Sequence, residues 1–265
     1  MSDSDAVQYE VADEVATVTL NNPDMRNALT ADVSDGLVDA LDAIQDTDAR
    51  CVVIEGAGSA FSAGGDVDLM MEGLSSDVPP HEKAEAVMNG LHRAIERLVR
   101  FPLPTVARVD GQAFGAGASL AIACDIQVAR ADAELSFAFR KVGLAVDSGT
   151  SVLLPRMVGE NMAKRLVFTG QVLSAEEAAD VGVVTDVYDE AEYDAEFDAL
   201  VESIASGPTA GLKVSKRLIR QNATKGLVEA LDDEAAGQSL LFDSADHEEG
   251  ARAFMEGRRP EFEGN

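Results

Sequence analysis

The chain has 265 residues, with 48 aspartates and glutamates against 21 lysines and arginines, for a formal net charge of −27 at neutral pH. That sign repels nucleic acid and anionic membrane surfaces and excludes both as partners, while no apolar run approaches the roughly 20 residues of a membrane span. With 46% apolar residues the chain can bury a sizeable core, and its start, MSDSDAVQYE, lacks the basic and apolar regions of a secretory signal, so a soluble cytoplasmic protein is expected.

An acid excess of this size also keeps proteins hydrated in concentrated salt, where about 1 M electrolyte shortens the Debye length to about 3 Å and screens the self-repulsion. A salt-adapted source is the expectation.

In chain order, VQYEVADEVATVTL (7–20) alternates apolar and polar residues on both sides of an acidic pair and predicts a hairpin. From Thr30, the apolar residues Val33, Leu37, Leu41 and Ile44 fall on one helical stripe, and Val87, Leu91, Ile95 and Leu98 repeat the spacing. CVVIEG (51–56) and PTVARVDG (104–111) are short β-branched runs that end in glycine. Each leads into a loop of small residues, so the chain repeats strand, glycine loop, helix.

The segment DEAEYDAEFDALVE (189–202) predicts a helix with a solvated acidic face. Beyond about residue 200 strand patterns give way to helices, which suggests a core over 1–200 and a helical region over 201–265. In the last helix, Asp246 and Glu249 have the spacing of a capping box and Pro260 is expected to stop it.

Three stretches carry chemistry. AFSAGGDVDLM (60–70) and DGQAFGAGASLAIACDI (110–126) each follow a strand. Their small residues let a ligand approach the main chain, and the helix after each adds unpaired N–H groups and a positive dipole end. Two such loops meeting at one point would form an oxyanion hole. The third stretch, VGLAVDSGT (142–150), sets one carboxylate, Asp147, between an apolar run and a small-residue turn. There it can cap the following helix or move protons.

Other chemistries lack their motifs. GAGSAF (56–61) begins like a dinucleotide fingerprint, but Phe61 stands at the third glycine. Neither a phosphate-binding GxxxxGK[ST] nor a GxSxG nucleophile elbow occurs. Cys51 and Cys124 are isolated, and His81, His92 and His247 lie outside zinc-type spacing, so no disulfide or metal site is expected.

NNPDMRNALT, AFSAGGDVDLM, GQAFGAGASLAIACDI, RKVGLAVDSGTSVLLPRMVG and GARAFMEGRRPEF, taken in this order, resemble the crotonase, or enoyl-CoA hydratase/isomerase, superfamily. The resemblance implies an α/β spiral of repeated ββα units with C-terminal helices that assemble homotrimers, often paired into hexamers. It also implies a coenzyme A thioester as substrate, with no further cofactor. The oxyanion donors would be the N–H groups of Gly65 and Ala116. Met25, Arg26, Ala28, Ala63, Asp66 and Val67 would line the adenine and pantetheine side, and Phe139 and Leu144 the acyl side.

A thioester carbonyl that accepts two N–H bonds can hold negative charge as its α-proton leaves, each donor lowering the barrier by about 3 kcal/mol. The hydratases of this superfamily add a pair of glutamates that activate water, and the matching positions here are Ser119 and Phe139. The resemblance therefore points to the isomerases, whose matching aspartate moves protons, with Asp147 as acid and base and with Leu144, Val146 and Phe139 keeping bulk water from it. Hydratase activity with other water-activating groups and a non-catalytic binding role are the alternatives. Against so acidic a surface the phosphates of coenzyme A need local cations, for which Arg26 and the tail residues Arg258 and Arg259 are candidates.

Overall fold

The structure, a computed structural model, describes residues 6–66, 70, 71, 73 and 76–265. The hairpin forms as the alternation predicts. Strand β1 (Val7–Ala12) pairs antiparallel with β2 (Val15–Leu20), Ala12 opposite Val15. Asp13 and Glu14 both take positive φ, 48° and 62°, so the connection is a two-residue turn whose twist matches that of the strands. Thr30 then caps helix α1 (Ala31–Ile44), its Oγ1 accepting from the Val33 N–H at 3.2 Å. The predicted stripe of Val33, Leu37, Leu41 and Ile44 is buried in the main core.

Strand β3 (Cys51–Gly56) joins β2 in parallel, and three residues later β4 (Ala60–Ser62) starts a second sheet. The predicted second helix is interrupted. An α-helical segment α2 (Pro80–Val87) runs into a π-turn at Met88–His92 and resumes as α3 (Arg93–Val99). The segment before the π-turn buries no residue, so Val87 is exposed, while Ile95 and Leu98 beyond it lie in the core.

The strand-to-strand step recurs twice, from β5 (Thr105–Val109) to β6 (Gln112–Phe114), and, beyond helix α4 (Ala116–Ala121), from β7 (Ile126–Arg130) to β8 (Glu134–Ser136). Helices α5 (Thr150–Val158) and α6 (Glu160–Thr169) lead to β9 (Leu173–Ser174), which pairs antiparallel with β8. Helix α7 (Ala175–Asp180) and β10 (Asp186–Tyr188) follow. One sheet has the order β1-β2-β3-β5-β7-β10, the other β4-β6-β8-β9. Each turn of chain thus adds a strand to both sheets, and the linkers that cross between the sheets stack above one another.

Helix α8 (Tyr193–Ala205) packs Tyr193, Phe197, Val201 and Ala205 against Cys51, Val53, Val106 and Val128 of the larger sheet. Its acidic residues largely face solvent, as the segment's charge pattern predicts, although Asp194 also pairs with Arg108. Helices α9 (Thr209–Asn222), α10 (Leu227–Ser239) and α11 (Ala245–Glu256) close the chain.

Two expectations for the last helix fail. Its cap is Ser244, which accepts from the His247 N–H, while Asp246 instead accepts from the main-chain N–H groups of Glu263 and Gly264. The helix ends at Gly257 (φ 68°), three residues before Pro260, because the left-handed residue already turns the chain. Among the described residues, no helix is long and apolar enough to cross a membrane.

Candidate active site

The two glycine loops meet. Gly64 has φ 97°, and a methyl group there would lie 2.4 Å from the Phe114 carbonyl oxygen and 3.3 Å from the Ala116 amide nitrogen. A side chain at Gly117 would likewise lie 2.3 Å from the Ser62 carbonyl oxygen. Only glycine permits this approach, and it sets Gly65, next in chain to Gly64, beside the start of α4. Ala116 is the first residue of that helix, where an N–H has no intrahelical partner. Among the described residues, neither the Ala116 nor the Gly65 N–H donates to a protein acceptor. Two unspent donors from separate loops therefore stand close together, as an oxyanion hole requires.

The first loop is held by the segment at 25–29. The Ala63 N–H donates to the Arg26 carbonyl at 2.8 Å, and the Leu29 N–H to the Gly64 carbonyl at 2.7 Å. Asn27, fully buried with φ 55°, completes the clamp. Its Nδ2 donates to the carbonyls of Ala57 (2.9 Å) and Ala60 (2.7 Å), and its own carbonyl accepts from the Ser62 hydroxyl at 2.7 Å. Sequence reasoning missed Asn27. The available sign was an asparagine, which tolerates left-handed backbone, in a run of turn-forming residues.

Of the residues expected on the coenzyme side, Met25 and Arg26 are exposed beside this clamp, Ala28 is buried, and Ala63 and Asp66 are half-buried along the loop. Val67 lies outside the described residues. Among the described residues no carboxylate pairs with Arg26, so its charge is available to a ligand. Arg258, by contrast, is engaged within the chain by Glu249 at 2.6 Å and Glu256 at 2.7 Å, and its guanidinium holds the Glu249 carboxyl down at about 2.

We expect Arg26→Ala to weaken acyl-CoA binding by about tenfold at low ionic strength, with the difference narrowing as salt screens the pair. Titrations across a salt series check this, and an affinity equal to wild type at low salt would remove Arg26 from the site.

Asp147 is half-buried, in the turn before α5. Its side chain is not the helix cap. The cap position belongs to Gly149 with no side-chain bond, and it is the Asp147 main-chain carbonyl that accepts from the Thr150 N–H, at 2.9 Å. The carboxylate instead accepts from the Ser148 hydroxyl at 2.7 Å. Ser148 is 1% exposed and has φ 51°, a strained conformation for a residue with a Cβ.

The turn is tied to the second loop through Ser119, whose hydroxyl lies 2.5 Å from that of Thr150 and donates to the Gly115 carbonyl at 3.1 Å. A continuous hydrogen-bonded path thus joins the Asp147 turn to the residue preceding Ala116. Phe139 is buried in the main core, and its carbonyl accepts from the Leu144 N–H at 3.2 Å. Leu144 itself is 54% exposed and Val146 half-buried. The apolar wall expected from Leu144 is therefore not closed within one chain, because Leu144 and Ala145 are exposed and only Val146 packs against the main core.

Asp110, at the mouth of the second loop, has an enclosed carboxylate oxygen with no partner among the described residues, and burial raises its carboxyl above the usual range.

The chain's similarities to known proteins agree with this geometry. Residues 10–265 match the enoyl-CoA hydratase/isomerase family. A 1,2-epoxyphenylacetyl-CoA isomerase from Escherichia coli is 35% identical, with 94% of this chain and 95% of that protein covered. A trans-2-decenoyl-[acyl-carrier-protein] isomerase from Streptococcus mutans is 33% identical, covering 97% of this chain and 98% of the other. The crystal structure of an enoyl-CoA hydratase from Polaromonas superposes with a TM-score of 0.90 at 30% identity, over 97% of this chain and 99% of that one. With its paired sheets, its converging glycine loops and these likenesses along nearly its whole length, the chain belongs to the enoyl-CoA hydratase/isomerase, or crotonase, family of enzymes.

Proposed function

We propose that the enzyme moves a double bond in an acyl-CoA thioester, converting a 3-enoyl-CoA to the 2-enoyl isomer with Asp147 as the single acid and base. The Asp147 carboxylate takes a proton from C2, and the electron pair delocalises into a dienolate whose oxygen accepts from the Gly65 and Ala116 N–H groups. The protonated carboxyl then returns a proton to C4, so no proton, electron or water is consumed.

One observation carries the choice of isomerisation over hydration. The two positions that would hold water-activating carboxylates are filled by Ser119, fully buried and bonded to Thr150, and by the buried Phe139. The Asp147 side chain is not spent on capping the helix, which leaves its carboxylate for proton transfer. The name of one relative, a trans-2-decenoyl-[acyl-carrier-protein] isomerase, favours the same reading.

The thioester's own coenzyme A is the only cofactor this scheme needs. The exposed apolar side chains of Leu227, Val228, Phe242, Phe254 and Met255 on the C-terminal helices and their connection support assembly into a homotrimer or hexamer, since soluble chains seldom leave so many in water. Assays of purified protein should show 3-enoyl-CoA isomerised faster than crotonyl-CoA is hydrated. Hydration faster by orders of magnitude would overturn the assignment in favour of a hydratase.

A further inference from the structure

A second proton-carrying side chain stands near the Asp147 turn. His92 is the last residue of the π-turn between α2 and α3. π-turns within helices occur often at functional sites, because the extra residue redirects a side chain. His92 lines a cavity of about 370 Å³ that Ser148 and Gly149 also line. The rest of the lining is mainly apolar, from Ile95, Val99, Val152 and Leu153, with the charges of Glu96 and Arg100 also bordering it.

The His92 Nε2 is enclosed and has no hydrogen-bond partner among the described residues. Such a nitrogen is costly to leave unpaired. The same cavity is also lined by the strained Ser148, which holds its hydroxyl on the Asp147 carboxylate at 2.7 Å.

We propose that His92 is a proton relay acting through Ser148 on Asp147, which lets the proton taken from the substrate exchange with solvent before one is returned. This rests on the isomerase reading. After Asp147 has taken the C2 proton, the carboxyl passes it toward the Ser148 oxygen as the Ser148 hydroxyl proton moves to the neutral imidazole. The carboxylate is restored and an imidazolium forms, which releases its proton to water through the cavity. The reverse sequence recharges the carboxyl for delivery to C4. His92 touches no substrate atom in this scheme and sets the origin of the returned proton.

The test is isotopic. In D2O, wild-type enzyme should place solvent deuterium at C4 of the isomerised product, and His92→Gln should lower the deuterium per molecule isomerised by fivefold or more, whatever it does to the rate. A merely structural role would change the rate and leave this ratio alone. Ser148→Gly, which removes the hydroxyl at a position whose left-handed backbone suits glycine, should lower the ratio similarly, and it decides the matter by the same criterion if His92→Gln does not fold. An unchanged ratio overturns the relay, as does a wild-type product free of deuterium.

Failure of the isomerase reading would look different, as an absence of double-bond migration in wild type. The relay is then read from deuterium entering C2 of butyryl-CoA, which requires only enolate formation. Wash-in at the wild-type rate in His92→Gln, or none in wild type, overturns it there.

Discussion

Asp147→Asn should lower the rate of double-bond migration by about 10²–10⁴-fold, the usual worth of a positioned acid or base, while acyl-CoA affinity stays within a few fold. The substitution keeps the shape of the side chain and an oxygen that can accept from Ser148. It also leaves the helix start intact, because Gly149 occupies the cap and the main chain of Asp147 receives the Thr150 N–H. What it removes is a group that can take a proton from carbon at neutral pH, since a neutral amide is no base. Single-turnover rates with 3-enoyl-CoA, set beside binding titrations, separate the two effects. Turnover near the wild-type level in Asp147→Asn would take the aspartate out of the chemistry.

Ala116→Pro should lower kcat by about 10²–10³-fold, the measured cost of losing one oxyanion donor in comparable sites, with much less effect on stability. Ala116 occupies the first position of α4, where proline is well tolerated because the N–H it lacks makes no intrahelical bond. That same N–H is the one the proposed mechanism assigns to the thioester oxygen. Ala116→Gly keeps the donor and should remain close to wild type, which controls for loss of the methyl group. Steady-state kinetics and thermal melts on both variants are sufficient. A proline variant that melts normally and turns over within a few fold of wild type would show that the second donor lies elsewhere.

Much of the framework could be read from local pattern. The hairpin follows from alternation around Asp13–Glu14, and α1 from the Thr30 cap and its apolar stripe. The two glycine loops announced themselves by composition, and their meeting follows from Gly64 and Gly117, where any side chain would collide with the opposing loop. Asp147 stood out because a carboxylate between an apolar run and a small-residue turn needs an explanation. Local pattern erred where a single residue changed the geometry. The helix that carries Val87 buries none of its residues, Gly257 ended α11 before Pro260, and Arg258 pairs with Glu249 within the chain.

The amino-acid order by itself determined which segments form strands, loops and helices, and which residue types were present for proton transfer, because periodicity and backbone preference act over a few neighbouring residues. Tertiary structure alone decided which polar groups would be consumed. Asn27 is used up bracing the first loop, Ser119 is drawn to Thr150, and Ser148 turns to Asp147, while the amides of Gly65 and Ala116 are left without an acceptor among the described residues. Each hydrogen-bond partner is supplied by a distant stretch of chain or by a strained backbone angle, and the inventory of donors and acceptors balances only once the two sheets have brought those stretches together.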